Sequence, residues 1–370
     1  MFQGDPSAGS TYHGTFVPDP YRALEATESA RTRVFLNAQQ RATEAFLARS
    51  PHRDAIRRRL AELWRRRTMS PPLRAGNQWI HMLEDGTRNQ AQVVRSDRPC
   101  GDGALLLDPT TFAADGSAAV TSLSCSRDGA LLALAVARKG SDWREIRVVE
   151  VASGTLRDDV VRFVKFSSPE WLADGSGFFY LRYPEPAEGK ALHAVNQAPR
   201  YCLHRLGTQQ QDDVTVWADP DHPERAADGR VSDDGKQLVL EVSSGTDSRN
   251  RVALVDLVEG KPSAPRPLVD ELRASYVFLG NDGPTLYFLT GDGAPRGRVV
   301  ALDSSKPGPA ITRVPESTDT LAAARLVADR LVLVYLHDAY HVVKTCMLDG
   351  SAVRTVALPE VGSVGALTGA

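Results

Sequence analysis

The spacing of apolar positions changes once along this 370-residue chain, near residue 70. Ahead of that point it is helical. Phe35, Gln39, Ala42 and Phe46 recur at i, i+4, i+7 and i+11, one face of a helix, and Pro51 ends it. A second helix is predicted from about Arg53 to Arg67, with Ile56, Leu60, Leu63 and Trp64 as its apolar stripe and arginines on its other faces. Residues 1–20 are polar and rich in Gly and Pro, so an extended or partly disordered lead-in is expected. After Met69-Ser70-Pro71-Pro72 the helical spacing disappears and short, alternating or continuous apolar runs follow one another. Examples are Gln78–Leu83, Leu131–Ala137, Ile146–Val151, Phe178–Tyr183, Leu238–Val242, Thr285–Leu289 and Arg330–Leu336.

Asp-Gly pairs punctuate these runs, and Gly supplies the positive φ that a tight turn needs. Four turns recur in context before an apolar run: Ser126-Arg127-Asp128-Gly129, Leu172-Ala173-Asp174-Gly175, Ser232-Asp233-Asp234-Gly235 and Gly280-Asn281-Asp282-Gly283. Their glycines lie 46, 60 and 48 residues apart. A period of roughly 40–60 residues with four strands each is that of propeller blades. A sandwich would have fewer strands, and a solenoid a shorter and stricter period. The expected fold is therefore mainly β: a seven-bladed β-propeller over residues 71–370, preceded by an α-helical amino-terminal segment over residues 1–70. Blades are predicted near 73–110, 118–153, 161–207, 228–258, 274–303 and 320–350. A seventh is expected to begin at Ser351-Ala352-Val353 and to be incomplete.

Composition narrows the function classes. Apolar content of 42% and a formal charge of −2 give no general attraction to nucleic acid or to membranes. The first 70 residues hold twelve arginines against seven carboxylates. Without interleaved aromatics or a nucleic-acid motif, they read as a solvated helix face or one that packs on an acidic neighbour. No apolar run suits a membrane helix, and the start has no signal-peptide core, so a cytoplasmic location is expected. Cys100, Cys125, Cys202 and Cys346 are scattered, with no CxxC pair, and read as free thiols.

A catalytic centre is hard to find. No G-x-S-x-G elbow occurs, and Gly175-Ser176-Gly177 lies in a hairpin turn with no helix after it. Gly260-Lys261 is followed by Pro262, so a Walker A loop is excluded. His337 and His341 are spaced i, i+4, but their surroundings read as strand, turn, strand, and a polar turn pair is favoured over a metal site. No cofactor is expected.

Taken in order, several short motifs resemble one family. Asp19-Pro20-Tyr21-Arg22-Ala23-Leu24-Glu25 comes first, then Leu107-Asp108-Pro109, Gly140-Ser141-Asp142-Trp143 and Val164-Lys165-Phe166-Ser167. Gly177-Phe178-Phe179-Tyr180, Asp221-His222-Pro223-Glu224, Gly245-Thr246-Asp247 and Tyr335-Leu336-His337-Asp338 follow. Together they resemble the amino-terminal half of prolyl oligopeptidase, a cytosolic serine peptidase that cuts short peptides after proline. The resemblance implies a propeller that caps an α/β-hydrolase domain carrying the Ser, Asp and His of catalysis, and so a chain truncated before that domain and inactive alone. It also implies three substrate-binding positions. Phe166 matches a pocket-lining residue, and Asp142 matches an acid that pairs with a substrate-binding arginine of the hydrolase domain. Thr246 stands at a pocket position where the family often has Cys. The partners implied are the hydrolase domain and short proline-containing peptides. A free-standing propeller that binds proteins or peptides is the alternative. The sequence departs from the family at Ala23 and Ala26, and at Arg225-Ala226-Ala227-Asp228.

Overall fold

A computed structural model describes residues 3–187, 195–306, 308–367 and 369. The chain divides into two compact units: one holds the described residues up to Arg66 together with Pro186 and Ala187, and the other holds the rest.

The first unit opens on a hairpin, Gly9–Tyr12 against Thr15–Pro18, where an extended or disordered lead-in was expected. Its turn is His13-Gly14, both residues at positive φ (50° and 81°), the geometry that matches the twist of two paired strands. Arg22 ties the hairpin to the motif that follows. Its Nε donates to Asp19 Oδ2 at 3.1 Å, Nη1 to the Gly9 carbonyl at 2.7 Å and Nη2 to Ser10 Oγ at 2.8 Å. Helix α1 spans Ala30–Ala48, capped by Ser29, whose hydroxyl accepts the Thr32 N–H at 3.1 Å. Helix α2 spans Arg53–Trp64. Phe46, Ile56, Leu60, Leu63 and Trp64 are all exposed, Trp64 by 75%.

The second unit is built of antiparallel sheets, five of them among the described residues; the largest, of eight strands, falls into two four-stranded halves, numbered here as sheets 2 and 3. Sheet 1 contains Leu73–Ala75, Gln78–Glu84, Gln92–Ser96 and Ala104–Leu107. Sheet 2 contains Ala118–Cys125, Leu131–Arg138, Arg144–Glu150 and Leu156–Val164. Sheet 3 contains Glu170–Trp171, Gly177–Arg182, Arg200–Arg205 and Val214–Ala218, and a single pair, Val164 with Arg182, links it to sheet 2. Sheet 4 contains Arg225–Val231, Gln237–Ser244, Asn250–Val258 and Arg266–Val269. Sheet 5 contains Tyr276–Asp282, Thr285–Thr290, Arg298–Asp303 and Ile311–Val314. Sheet 6 contains Thr320–Val327, Arg330–His337, Tyr340–Met347 and Arg354–Val356.

Alternation along each strand shares its side chains between two neighbours. Leu238, Leu240 and Val242 pack back on Phe179, Leu181, Tyr201 and Leu203 of sheet 3. Val239, between them, packs forward on Tyr276, Phe278 and Phe288 of sheet 5. Leu132, Leu134 and Val136 likewise join Ile80 and Val93 of sheet 1, while Ala133 joins Phe178 and Tyr180 of sheet 3.

Three expectations shift. Arg354–Val356, placed where a seventh blade was to begin, pairs with Val343–Thr345 and closes sheet 6. The blade limits 118–153 and 161–207 stop short of fourth strands at Leu156–Val164, whose charged residues hide the apolar alternation, and at Val214–Ala218, a strand of only five residues. Asp228-Gly229, one of the Asp-Gly pairs expected to punctuate the strands, is no turn: it lies within the strand Arg225–Val231. The Tyr201 ring presses on Gly229 and leaves no room for a Cβ there, so the glycine is selected by packing.

Candidate functional site

In a sheet of four antiparallel strands, the turn between strands two and three and the link to the next sheet lie at one end. The turns between strands one and two, and three and four, lie at the other. Asp142 occupies the second-to-third turn of sheet 2, between Leu131–Arg138 and Arg144–Glu150. Phe166 occupies the link from sheet 2 to sheet 3, and Thr246 the second-to-third turn of sheet 4. The topology thus puts all three at the same end.

Contacts join the chain neighbours of the first two. Lys139 and Gly140, both at positive φ, reverse the chain so that the Asp142 turn closes on a Ser141 N–H bond to the Arg138 carbonyl at 3.0 Å. The next residue, Trp143, meets Phe163 edge-on at 6.3 Å. Lys165 Nζ stands 3.9 Å from the centre of the Trp143 ring and donates to Asn196 Oδ1 at 2.8 Å. Burial lowers the Lys165 pKa, and the Asp142 charge opposes that shift. Phe166 has φ 53°, a conformation that a bulky residue rarely adopts. Its ring meets Tyr183 edge-on at 6.3 Å, yet it stays 56% exposed.

Thr246 is exposed and shares no described hydrogen bond, ion pair or ring contact with this cluster. Its neighbours form a fork: Arg249 Nε lies 3.0 Å from Asp247 Oδ1, and Nη2 lies 2.7 Å from Oδ2. The hydrogen bond from the Arg249 side chain is the main reason that Asp247 is held down at about 2.

Two polar arrangements escape sequence reasoning because their members are far apart in the chain. The first is buried in sheets 2 and 3. His204 Nδ1 lies 2.7 Å from Asp213 Oδ1, and its Nε2 lies 3.4 Å from Asp159 Oδ1. Tyr180 donates to Asp213 Oδ2 at 2.6 Å. The second lies along the first strands of the sheets, which enclose a cavity of about 670 Å³ lined in part by Arg74, Arg127, Glu170, Arg230, Asp233 and Arg325. Glu170 accepts the Val231 N–H at 2.8 Å, and Glu241, behind it in sheet 4, accepts the Phe278 N–H at 2.7 Å. Burial pushes each of these carboxyls up to about 7. The recurrent turn before each second strand was the available signal for the lining, since it marks where a first strand ends.

His337 and His341 fall on adjacent strands, and each has a partner of its own. His337 Nδ1 lies 2.9 Å from Asp319 Oδ1, while His341 Nδ1 accepts the Val364 N–H at 2.8 Å.

The sequence profile for the amino-terminal β-propeller domain of prolyl oligopeptidase matches residues 3–370. The chain belongs to the prolyl oligopeptidase family. Among its relatives, a prolyl endopeptidase of Elizabethkingia meningoseptica is 29% identical over 361 residues, covering 97% of this chain and 50% of the relative. The prolyl oligopeptidase ophP of Omphalotus olearius is 30% identical over 374 residues, covering 91% of this chain and 50% of its own. The chain spans about half the length of the curated relatives it matches. Among solved structures, prolyl oligopeptidase B of Galerina marginata bound to a 35mer hydrolysis and macrocyclization substrate superposes with a TM-score of 0.85 at 26% identity, over 98% of this chain and 54% of that one. A structure from a study of two prolyl endopeptidases and their inter-domain dynamics superposes at 0.76 with 34% identity, over 100% of this chain and 53% of the other. The chain is therefore a prolyl oligopeptidase propeller, mainly β, as the spacing of its turns predicts.

Proposed function

We propose that these residues are the non-catalytic propeller portion of a proline-specific serine peptidase, and that they gate and size-select short proline-containing peptides for an α/β-hydrolase domain. The observation that carries the reading is Phe166. An aromatic ring held outward on left-handed backbone, at the same end as Asp142 and Thr246, offers an apolar platform to something beyond the sheets. Family membership and the substrate-bound Galerina marginata structure support the same assignment. In this reading Phe166 contacts the peptide, Asp142 orients a basic group of the hydrolase domain, and Thr246 borders the pocket. A propeller over a hydrolase site leaves only narrow ways in, so flexible peptides pass and folded proteins do not. Exclusion of water strengthens the electrostatics of the site it covers. No nucleic acid, membrane or cofactor takes part.

The test joins this chain to the hydrolase half of the Elizabethkingia meningoseptica relative and compares cleavage of a proline-containing octapeptide with that of a folded protein bearing the same bond. The expected outcome is cleavage of the octapeptide alone, with KM raised by Phe166→Ala and by Asp142→Ala. Equal cleavage of both substrates, or no effect of either substitution, would sink the assignment.

A further inference from the structure

The cavity along the first strands carries charge that peptide gating does not use. Arg74 comes from sheet 1, Arg127 from the first turn of sheet 2, Arg230 from sheet 4 and Arg325 from sheet 6, and all four line the same space. A guanidinium has five N–H donors. Each of these four has one described hydrogen bond, always to a backbone carbonyl. Arg74 Nε reaches Gly76 at 3.1 Å, Arg127 Nη2 Ser232 at 3.4 Å, Arg230 Nη1 Phe278 at 3.3 Å and Arg325 Nε Gly369 at 2.9 Å. Among the described residues none of the four forms an ion pair, whereas arginines outside the cavity, such as Arg225 and Arg249, do.

The carboxylates sharing the space form no ion pair with these arginines among the described residues, although the charges of Asp233 and Glu170 favour the charged form of Arg325. Glu170 takes the Val231 N–H, and Asp233 Oδ2 takes the Asn281 N–H at 3.3 Å. Burial first, and then the nearby Arg230 charge, lower the Arg325 pKa, and Asp233 and Glu170 only partly offset them. Four guanidiniums with no ion pair among the described residues, converging from four sheets on one cavity that holds two carboxyls, leave a net positive field that a counterion relieves. Their planar forks match oxyanions. A phosphate-type group accepts from several directions at once, as arginines from four separate sheets require, while one carboxylate accepts in a single plane.

We propose that this cavity binds a small polyanion of the pyrophosphate class, held by Arg74, Arg127, Arg230 and Arg325. The site lies toward the end of the sheets opposite Asp142 and Phe166, and it does not depend on the peptide-gating reading.

The experiment is calorimetric titration of this chain with inorganic pyrophosphate at low salt, with citrate as a carboxylate polyanion and sodium chloride at matched ionic strength. Trp171 lines the cavity, so tryptophan emission gives a second readout. Saturable pyrophosphate binding is expected, weakened about tenfold or more by Arg230→Gln with Arg325→Gln. Arg249→Gln, at the other end, should leave it unchanged. Heat no greater than chloride gives, or equal affinity in the double variant, would overturn the site. Citrate binding as tightly as pyrophosphate would overturn the phosphate assignment. If circular dichroism shows the double variant unfolded, the exposed single substitutions Arg74→Gln and Arg127→Gln decide, and two unchanged affinities refute the proposal.

Discussion

Glu170 and Glu241 should make this propeller lose stability as pH rises. Both accept a backbone N–H from the first strand of the next sheet, and burial raises both from the ordinary 4.5 to about 7. A carboxyl whose folded pKa exceeds its unfolded one favours the folded state while protonated. Its contribution is fully present below about 4.5 and is lost as pH climbs through about 7. A rise of that size corresponds to about 3 kcal/mol for each group. Both side chains are partly reached by solvent, which halves the figure and leaves about 3 kcal/mol for the pair. Glutamine keeps the accepting oxygen and cannot ionise. The double variant Glu170→Gln, Glu241→Gln should therefore be about 3 kcal/mol more stable than the parent at pH 8, and within about 1 kcal/mol of it at pH 5. Urea unfolding followed by tryptophan emission at both pH values measures this. Parent and variant losing equal stability between pH 5 and 8 would refute the assignment of the cost to these carboxyls.

Asp213→Ala leaves the buried Tyr180 hydroxyl and His204 ring without their shared acceptor, and should cost about 3–5 kcal/mol in the same unfolding assay. Gly129→Ala places a methyl 2.1 Å from the Gly76 nitrogen at φ +73°, and should cost more than about 2 kcal/mol. Gly140→Ala, at φ +69° with open space around it, should cost only about 1 kcal/mol, so equal losses would show that backbone crowding at Gly129 is unimportant. Phe166→Ala should change stability by no more than about 0.5 kcal/mol, since the ring is largely exposed, and a larger loss would make it a packing residue.

The propeller was legible because its second strands are apolar on both faces and follow turns that repeat. Leu131–Arg138 and Gln237–Ser244 announce themselves for that reason. Outer strands such as Leu156–Val164 alternate with charge and vanish into apparent loops. The helices were read from a weak stripe, and α2 ends at Trp64, three residues before the expected Arg67. The hairpin at Gly9–Pro18 was missed because two strands of four residues carry too few apolar positions to register, and only His13-Gly14 marked the turn. At the candidate site, the family motifs located Asp142, Phe166 and Thr246, and topology explains why distant positions reach one end. The arginines of the cavity and the His204 network had no such signal. Their partners are separated by up to about a hundred residues, as Arg127 and Ser232 are, and only the stacking of sheets brings them together.

Because neighbouring residues of one strand serve the cores of two different sheets, insertion or deletion of a single residue within a strand exchanges both sets at once. Adding a residue near Val239 would turn Leu240 toward sheet 5 and a polar neighbour toward sheet 3. Tolerated changes of length should therefore collect in the turns, and the lineage of this chain can vary its two ends separately. The proposed peptide selection at one and the proposed anion binding at the other would then drift as independent traits across a frame that accepts substitutions but not slippage.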